Sequence, residues 1–371
     1  MKRRQFLKQA GVVGAVGGLA ACSAQECAES PQGQGSGEPK REWKMVTAWP
    51  RNFPGLGTAA NEVADAVTRM SAGRLTVKVY GANDLVPAFE VFDTVSSGTA
   101  EMGHAAPYYW KGKVPAAQFF AGVPFGLTAP EMNGWLYFGG GLDLWKRLYE
   151  PFNLVPFAAG NTAVQMGGWF NKEINSVKDL QGLKMRIPGL GGEVLERAGG
   201  VPVNLPGAEL FTALESGAID ATEWVGPYND LAFGLFRAAS YYYYPGWHEP
   251  GTTLETMVNK EAFDALPEDL KAIVDAACHR ANDRLMAEYT ARNADALHTL
   301  TEEHGVELRR FPADVLDRLR EISEEVVREA AGADPLAQEI FDSYVKFRDR
   351  SRSWLATSEA TYYRAVGMGG D

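Results

Sequence analysis

The sequence predicts an α/β protein of two lobes that ends in long helices. Three observations carry this reading. Strand-like and helix-like segments alternate from residue 43 onward, the order of a layered α/β fold. After a series of such units over 184–244, the chain returns to a further strand at 253–260, which implies a crossing between lobes. Beyond Pro267 most of the chain follows a helical period. A protein of this class holds its ligand in the cleft, at the carboxyl ends of its strands.

The first segment reads as an address. Residues 1–21 hold four basic and no acidic side chains, with a Gly/Ala/Val stretch after them, the pattern of an export signal. Arg3 and Arg4, followed by Gln5, Phe6, Leu7 and Lys8, resemble a twin-arginine (Tat) signal, although Lys2 stands where Ser or Thr is usual. An amphipathic first helix is the alternative, but Gly11, Gly14, Gly17 and Gly18 would each cost about 1 kcal/mol there. Leu19-Ala20-Ala21-Cys22 resembles a bacterial lipobox, with Cys22 as the lipid-bearing residue; soluble release after cleavage nearby is the other outcome. Residues 22–41 are polar and rich in Gly, Ser, Pro and Gln, as in a flexible tether.

The body follows in order. Residues 43–49 read as a strand and 55–72 as a helix, with Leu56, Ala60, Val63, Ala64, Val67 and Met70 on one face and Gly73 as its stop. Alternation makes 74–80 a strand. A helix at 87–97, a short strand at 101–106 and a helix at 130–149 come next. The stretches 155–160 and 163–170 read as strands, 176–183 as a helical turn, and 184–189 as a strand closed by Pro-Gly. Helix 190–199, strand 201–205, helix 206–216, strand 218–224 and helix 227–237 follow. After YYYYPGWHEPG comes strand 253–260. One long helix runs from Pro267 to about His304, then a strand at 306–311 and helices at 313–331 and 334–365. The alternation implies largely parallel sheets. The lobes are placed at 42–163 and 164–252, with 253–371 returning to the first lobe and ending in helices.

Composition narrows the function. The 371 residues carry 47 acidic and 36 basic side chains, a net charge of −11. Without the four basic residues of the address, the remainder stands at −15. That balance excludes a basic nucleic-acid-binding face. Three cysteines make no disulfide framework, and Cys278 falls on an apolar helical face as a small buried hydrophobe. Gly55-Leu56-Gly57-Thr58-Ala59-Ala60 matches a dinucleotide fingerprint only formally, because the next strand ends without the acidic residue that the fingerprint needs. There is no nucleophile elbow, phosphate loop or zinc-protease motif, and the five histidines lack metal-ligand spacing.

What remains is a set of polar residues at strand ends. Asn161 and Gln165 flank the start of one predicted strand, Arg186 ends another, Glu223-Trp224 end a third, and Glu249 sits in the WHEPG loop. The planar fork of an arginine suits a carboxylate. Carboxylates and an amide oxygen suit Na⁺ or Ca²⁺. Together they would bind a small carboxylate whose keto or hydroxy oxygen completes a cation's shell. Strand-end Arg–Glu pairs are also common as ordinary surface ion pairs.

The stretches GRLTVKVYGANDLVPAFEVFDTVSSGTAEMGHAAPYYW, DLQGLKMRIPGLGGEVLERAGGVPVNLPGAELFTALESGAIDATEWVGP and YYYYPGWHEPGTTLETMVNK resemble the solute-binding proteins of TRAP (tripartite ATP-independent periplasmic) transporters, DctP-like, in the branch for 2-oxo acids and lactate. The resemblance covers residues 43–365. It implies a periplasmic-binding-protein-like fold closing on a small organic anion. It gives Arg186 the ligand carboxylate, and gives a cation the side chains of Gln165, Glu223 and Glu249 with the Trp224 carbonyl. It also implies ligand contacts at Asn161 and Tyr108, cleft walls at Trp224 and Phe53, a membrane permease as partner, no organic cofactor, and a C-terminal helix that swaps in a homodimer. The competing reading is a Tat-exported metal-dependent hydrolase or lyase using Glu223 and Glu249, without a visible nucleophile–base pair.

Overall fold

The computed structural model describes residues 40–368. The expected export signal, Cys22 and nearly all of the expected tether lie outside the described residues. Arg41, expected in the tether, already belongs to the first strand.

The first lobe opens with β1 (Arg41–Thr47), whose Trp43 and Met45 face the core while Glu42 and Lys44 face water. Helix α1 (Leu56–Met70) buries Leu56, Ala59, Ala60, Val63 and Val67, one stripe at helical spacing. Strand β2 (Leu75–Tyr80), helix α2 (Val91–Ser96) and strand β3 (Met102–Ala105) follow. The helix expected at 130–149 is two, α3 (Ala129–Phe138) and α4 (Gly141–Tyr149), because Gly140 turns the chain at φ 87°. Strand β4 (Leu154–Asn161) leads to the crossing.

The second lobe holds β5 (Gly168–Phe170), β6 (Lys184–Arg186), α5 (Gly189–Arg197), β7 (Val201–Val203), α6 (Leu210–Glu215), β8 (Ala221–Thr222), α7 (Pro227–Phe233) and β9 (Tyr241–Tyr244). Two predicted strands are much shorter than expected. Residues 163–167 form the crossing rather than strand, with Ala163 at φ 55°. Beyond Thr222 the chain leaves the ladder. At Gly168 (φ 119°) a Cβ would lie 2.6 Å from the Thr222 carbonyl oxygen, so only glycine permits this pairing. Four consecutive tyrosines form β9, an element that no alternation announces.

The chain then returns by β10 (Thr253–Asn259) and α8 (Lys260–Asp264) to α9 (Glu268–His298), which a turn of π-helix over Thr299–Glu303 continues. Helix α9 packs on α1 and β4 in the first lobe and on α7 in the second. Strand β11 (Glu307–Arg310) joins the second sheet, and α10 (Ala313–Ala330), α11 (Pro335–Thr357) and α12 (Glu359–Ala365) finish the chain. The helix expected at 334–365 breaks at Ser358.

The sheets are ordered β2-β1-β3-β10-β4 and β11-β9-β5-β8-β6-β7. They are mixed rather than largely parallel. Strand β10 runs against β3 and β4, and β5 runs against β8 and β9. Each of these strands directly follows a crossing between lobes, and the reversal of direction comes with it. The crossings at 162–167 and 245–252 lie side by side. Thr162 N donates to Thr252 O (3.0 Å), Gln165 N to Glu249 O (3.2 Å) and Gly246 N to Gln165 O (3.0 Å). Cys278 is a free, buried thiol, as expected. Among the described residues no helix is long and apolar enough to cross a membrane.

Candidate functional site

Strand ends and crossings deliver one cluster of buried polar groups. Arg186, at the end of β6, is 1% exposed. A guanidinium without water must be paired. Its Nη1 pairs with Glu223 Oε1, its Nε donates to Leu205 O (3.0 Å), and its Nη2 reaches Tyr109 Oη at 3.5 Å. The guanidinium also lies 5.2 Å above the Trp224 ring. Burial, the largest single influence, would lower its pKa, but Glu223, Tyr109, Tyr108 and Glu249 together outweigh it and hold Arg186 above its ordinary value, so it is charged at any physiological pH.

Glu223 and Trp224 follow β8 directly. The other carboxylate oxygen of Glu223, Oε2, has no hydrogen-bond partner and stands 3.4 Å from His248 Nε2. Glu249 Oε2 accepts from Gln165 Nε2 (2.7 Å) and Thr252 Oγ1 (2.5 Å). Burial and the nearby Glu223 carboxylate raise the Glu249 pKa. Gln165 Oε1, both ring nitrogens of His248 and the Trp224 indole nitrogen are buried without hydrogen-bond partners. Donor atoms of Glu223, His248 and Glu249 lie within 4.8 Å of one another. Buried acceptors left unpaired side by side are the mark of a cation site. The oxygens of Glu223, Glu249 and Gln165 suit sodium or calcium, so the donor set fits the expected ion.

The first lobe supplies the opposite wall. Tyr108 and Tyr109 follow β3, and burial raises the pKa of both, Tyr109 to about 12, so both hydroxyls keep their protons. A narrow cleft is lined by Trp49, Leu56, Tyr108, Tyr109, Thr162, Gln165, Trp224, Val225 and Leu254. Phe53 stands edge-on to Trp224 (6.4 Å) and stacks on Phe233 (4.2 Å).

The structure thus brings Arg186, Gln165, Glu223, Trp224, Glu249 and Tyr108 to one place. Asn161 is nearby but engaged. Its Nδ2 donates to Gly251 O (3.2 Å), and its Oδ1 accepts from Ala163 N (2.9 Å), so its amide braces the two crossings. Sequence reasoning missed His248, Tyr109 and Trp49. His248 is the immediate neighbour of Glu249, and Tyr109 of Tyr108, and that adjacency was the only signal.

A family model for bacterial extracellular solute-binding proteins, family 7 (DctP), matches residues 45–333. A monocarboxylate 2-oxoacid-binding periplasmic protein of Nostoc sp. is 42% identical over 98% of both chains. A TRAP periplasmic solute-binding protein of Pseudoalteromonas atlantica, crystallised with sodium and pyruvate, is 45% identical, covers 88% of this chain and 99% of its own, and superposes with a TM-score of 0.85. A TRAP solute-binding protein of Bordetella bronchiseptica, a mixed-occupancy dimer with copurified calcium and picolinate, is 37% identical, covers 88% and 97%, and gives a TM-score of 0.86. These relatives are transport proteins rather than enzymes, and the hydrolase reading falls with them. The chain belongs to the DctP family of TRAP-transporter solute-binding proteins.

Proposed function

We propose that this protein captures a small 2-oxo monocarboxylate, pyruvate or a near relative, together with Na⁺ or Ca²⁺, and delivers it to a TRAP membrane permease. The observation that carries this reading is the buried Arg186 beside unpartnered oxygens of Glu223 and Gln165. Arg186 receives the carboxylate through its Nη2 edge, with the Tyr109 hydroxyl beside it. Gln165, Glu223, Glu249 and the Trp224 carbonyl hold the cation, whose positive charge offsets the two carboxylates that would otherwise repel an anion. Tyr108 and the Trp224 ring bound the cavity, and Asn161 keeps the crossings in register. The narrow, aromatic-walled space favours a short acid over a long one. The protein performs no chemistry. Contacts from both lobes stabilise the closed state, and that differential affinity drives closure.

Thermal shift with a panel of small carboxylates, with and without added Na⁺ or Ca²⁺, tests the reading. A shift with pyruvate that collapses after cation removal is expected. No response to any monocarboxylate, or turnover of one, overturns it.

The finer assignments are proposals of the same kind. The twin-arginine signal takes the chain to the periplasm, and the tether leashes it to lipid at Cys22. A Cys22→Ala variant recovered still in the membrane fraction would contradict the anchor. The C-terminal helices mediate a homodimer, which their exposed Trp354, Tyr362 and Tyr363 support.

A further inference from the structure

The lobes also meet away from the ligand site. In the first turn of α7 two neighbouring polar side chains, both buried, serve different parts of the molecule. Asp230 belongs to the second lobe: its carboxylate accepts from Tyr242 Oη (2.6 Å), Trp169 Nε1 (3.0 Å) and Val225 N (3.3 Å). Asn229 reaches out of that lobe. Its Nδ2 donates to Pro54 O (2.8 Å), in the turn between β1 and α1 of the first lobe. Its Oδ1 accepts from Tyr289 Oη on α9 (2.6 Å). That second bond fixes the amide so that its N–H faces Pro54.

The turn is shaped for this contact. Gly55 has φ 70°, and a Cβ there would lie 2.6 Å from Tyr289 Oη, so a larger residue would push the turn away from Tyr289. Asn229 and Tyr289 are both fully buried. By contrast, Lys111 also crosses between lobes, to Gly189 O (3.3 Å) and Glu193 (3.1 Å), but it is only half-buried and its ion pair, open to water, contributes little. The Asn229 side chain is itself out of water; its bond from Tyr289 is buried and its bond to Pro54 partly so.

We propose that Asn229 is a positioning residue that latches the lobes shut and so sets how long a bound acid stays, without touching it. The inference rests on the solute-binding reading. When the lobes part, water solvates Asn229 and the Pro54 carbonyl, so the inter-lobe bond counts in the closed state alone. Its loss therefore leaves the open protein untouched and shortens the life of the closed one. Asp230, fixed to the backbone next to Trp224, ties the latch rigidly to the wall of the ligand site.

The test uses Asn229→Ala and the milder Tyr289→Phe, which frees the amide without removing it. Pyruvate with sodium is the probe, or the panel acid that shifts wild type most. Stopped-flow tryptophan fluorescence reads association and dissociation, and melting is followed with and without ligand. For Asn229→Ala, dissociation is expected to quicken about ten-fold with association within about two-fold. The liganded melting temperature falls by more than the ligand-free one, which loses only the Tyr289 bond. Tyr289→Phe shifts the same way by less, and decides the matter alone should Asn229→Ala not fold. Equal losses of melting temperature with and without ligand, at unchanged dissociation, overturn the latch and leave Asn229 as ordinary packing. A wild-type protein that responds to no acid overturns the solute-binding reading, and the latch with it.

Discussion

Arg186 is a charge without water, and its environment is built to tolerate it. Four kinds of partner share it: a carboxylate, a backbone carbonyl, a tyrosine hydroxyl and an aromatic face. Removing a buried partner outright leaves Glu223 uncompensated, at a cost of about 3–5 kcal/mol. The cleaner probe is Arg186→Lys, which keeps the charge and loses the fork. Affinity for the acid should fall roughly 100-fold, since one or two charged hydrogen bonds are lost. Isothermal titration reads this directly, and unchanged affinity would remove Arg186 from the ligand. The sequence exposed Arg186, Glu223 and Glu249 because hard donors at strand ends are visible one residue at a time. It did not expose His248. Its nearness to Glu223 exists only after α7 and β9 have folded between them, and five scattered histidines offer no spacing to read.

Among the elements, β10 carries a consequence for stability. Its Glu255 is fully buried, accepting from Trp110 Nε1 (2.6 Å) and Tyr149 Oη (3.3 Å), and burial pushes its pKa up to about 8. The folded state therefore holds a proton that the unfolded chain releases near its ordinary value. This contribution is complete below the unfolded pKa and is lost as pH rises through about 8. Glu255→Gln, a neutral mimic of the protonated acid, should match wild type at low pH. It should lose less melting temperature between about pH 5 and 9. Equal slopes would contradict the assignment. Asp230, raised by burial to about 7, leaves both proteins some residual slope. Such elements differed in legibility for physical reasons. Helix α1 was readable because one face is buried and periodicity records it. The break at Gly140 and strand β9 were not, because one depends on a local φ and the other on a row of side chains too uniform to alternate.

For the molecule as a whole, net charge was a poor guide. A chain that is strongly acidic beyond residue 21 is assigned an anion, which only a local arginine and a bound cation can reconcile. The two-lobed plan was legible from the return at 253–260, whereas the direction of each strand was not, since composition does not encode it. The last helices and the residues just after them expose Trp354, Tyr362, Tyr363, Val366 and Met368. Such exposure marks an interface more often than a free surface. Light scattering on residues 22–371 should therefore report a dimer. Trp354→Glu combined with Tyr362→Glu should yield a monomer that still binds its acid. A monomeric parent protein would refute the dimer.

The paired crossings at 162–167 and 245–252 have a mechanical meaning. Hydrogen-bonded edge to edge, they form one two-ply strap, so neither can bend without the other. Gln165 lies on one ply, His248 and Glu249 on the other, and Gln165 Nε2 bridges them to Glu249. An ion gripped by both plies would stiffen the pivot itself rather than the jaws. The acid would then meet a joint whose freedom had already been reduced, so filling the ion site first makes the second arrival less costly in entropy.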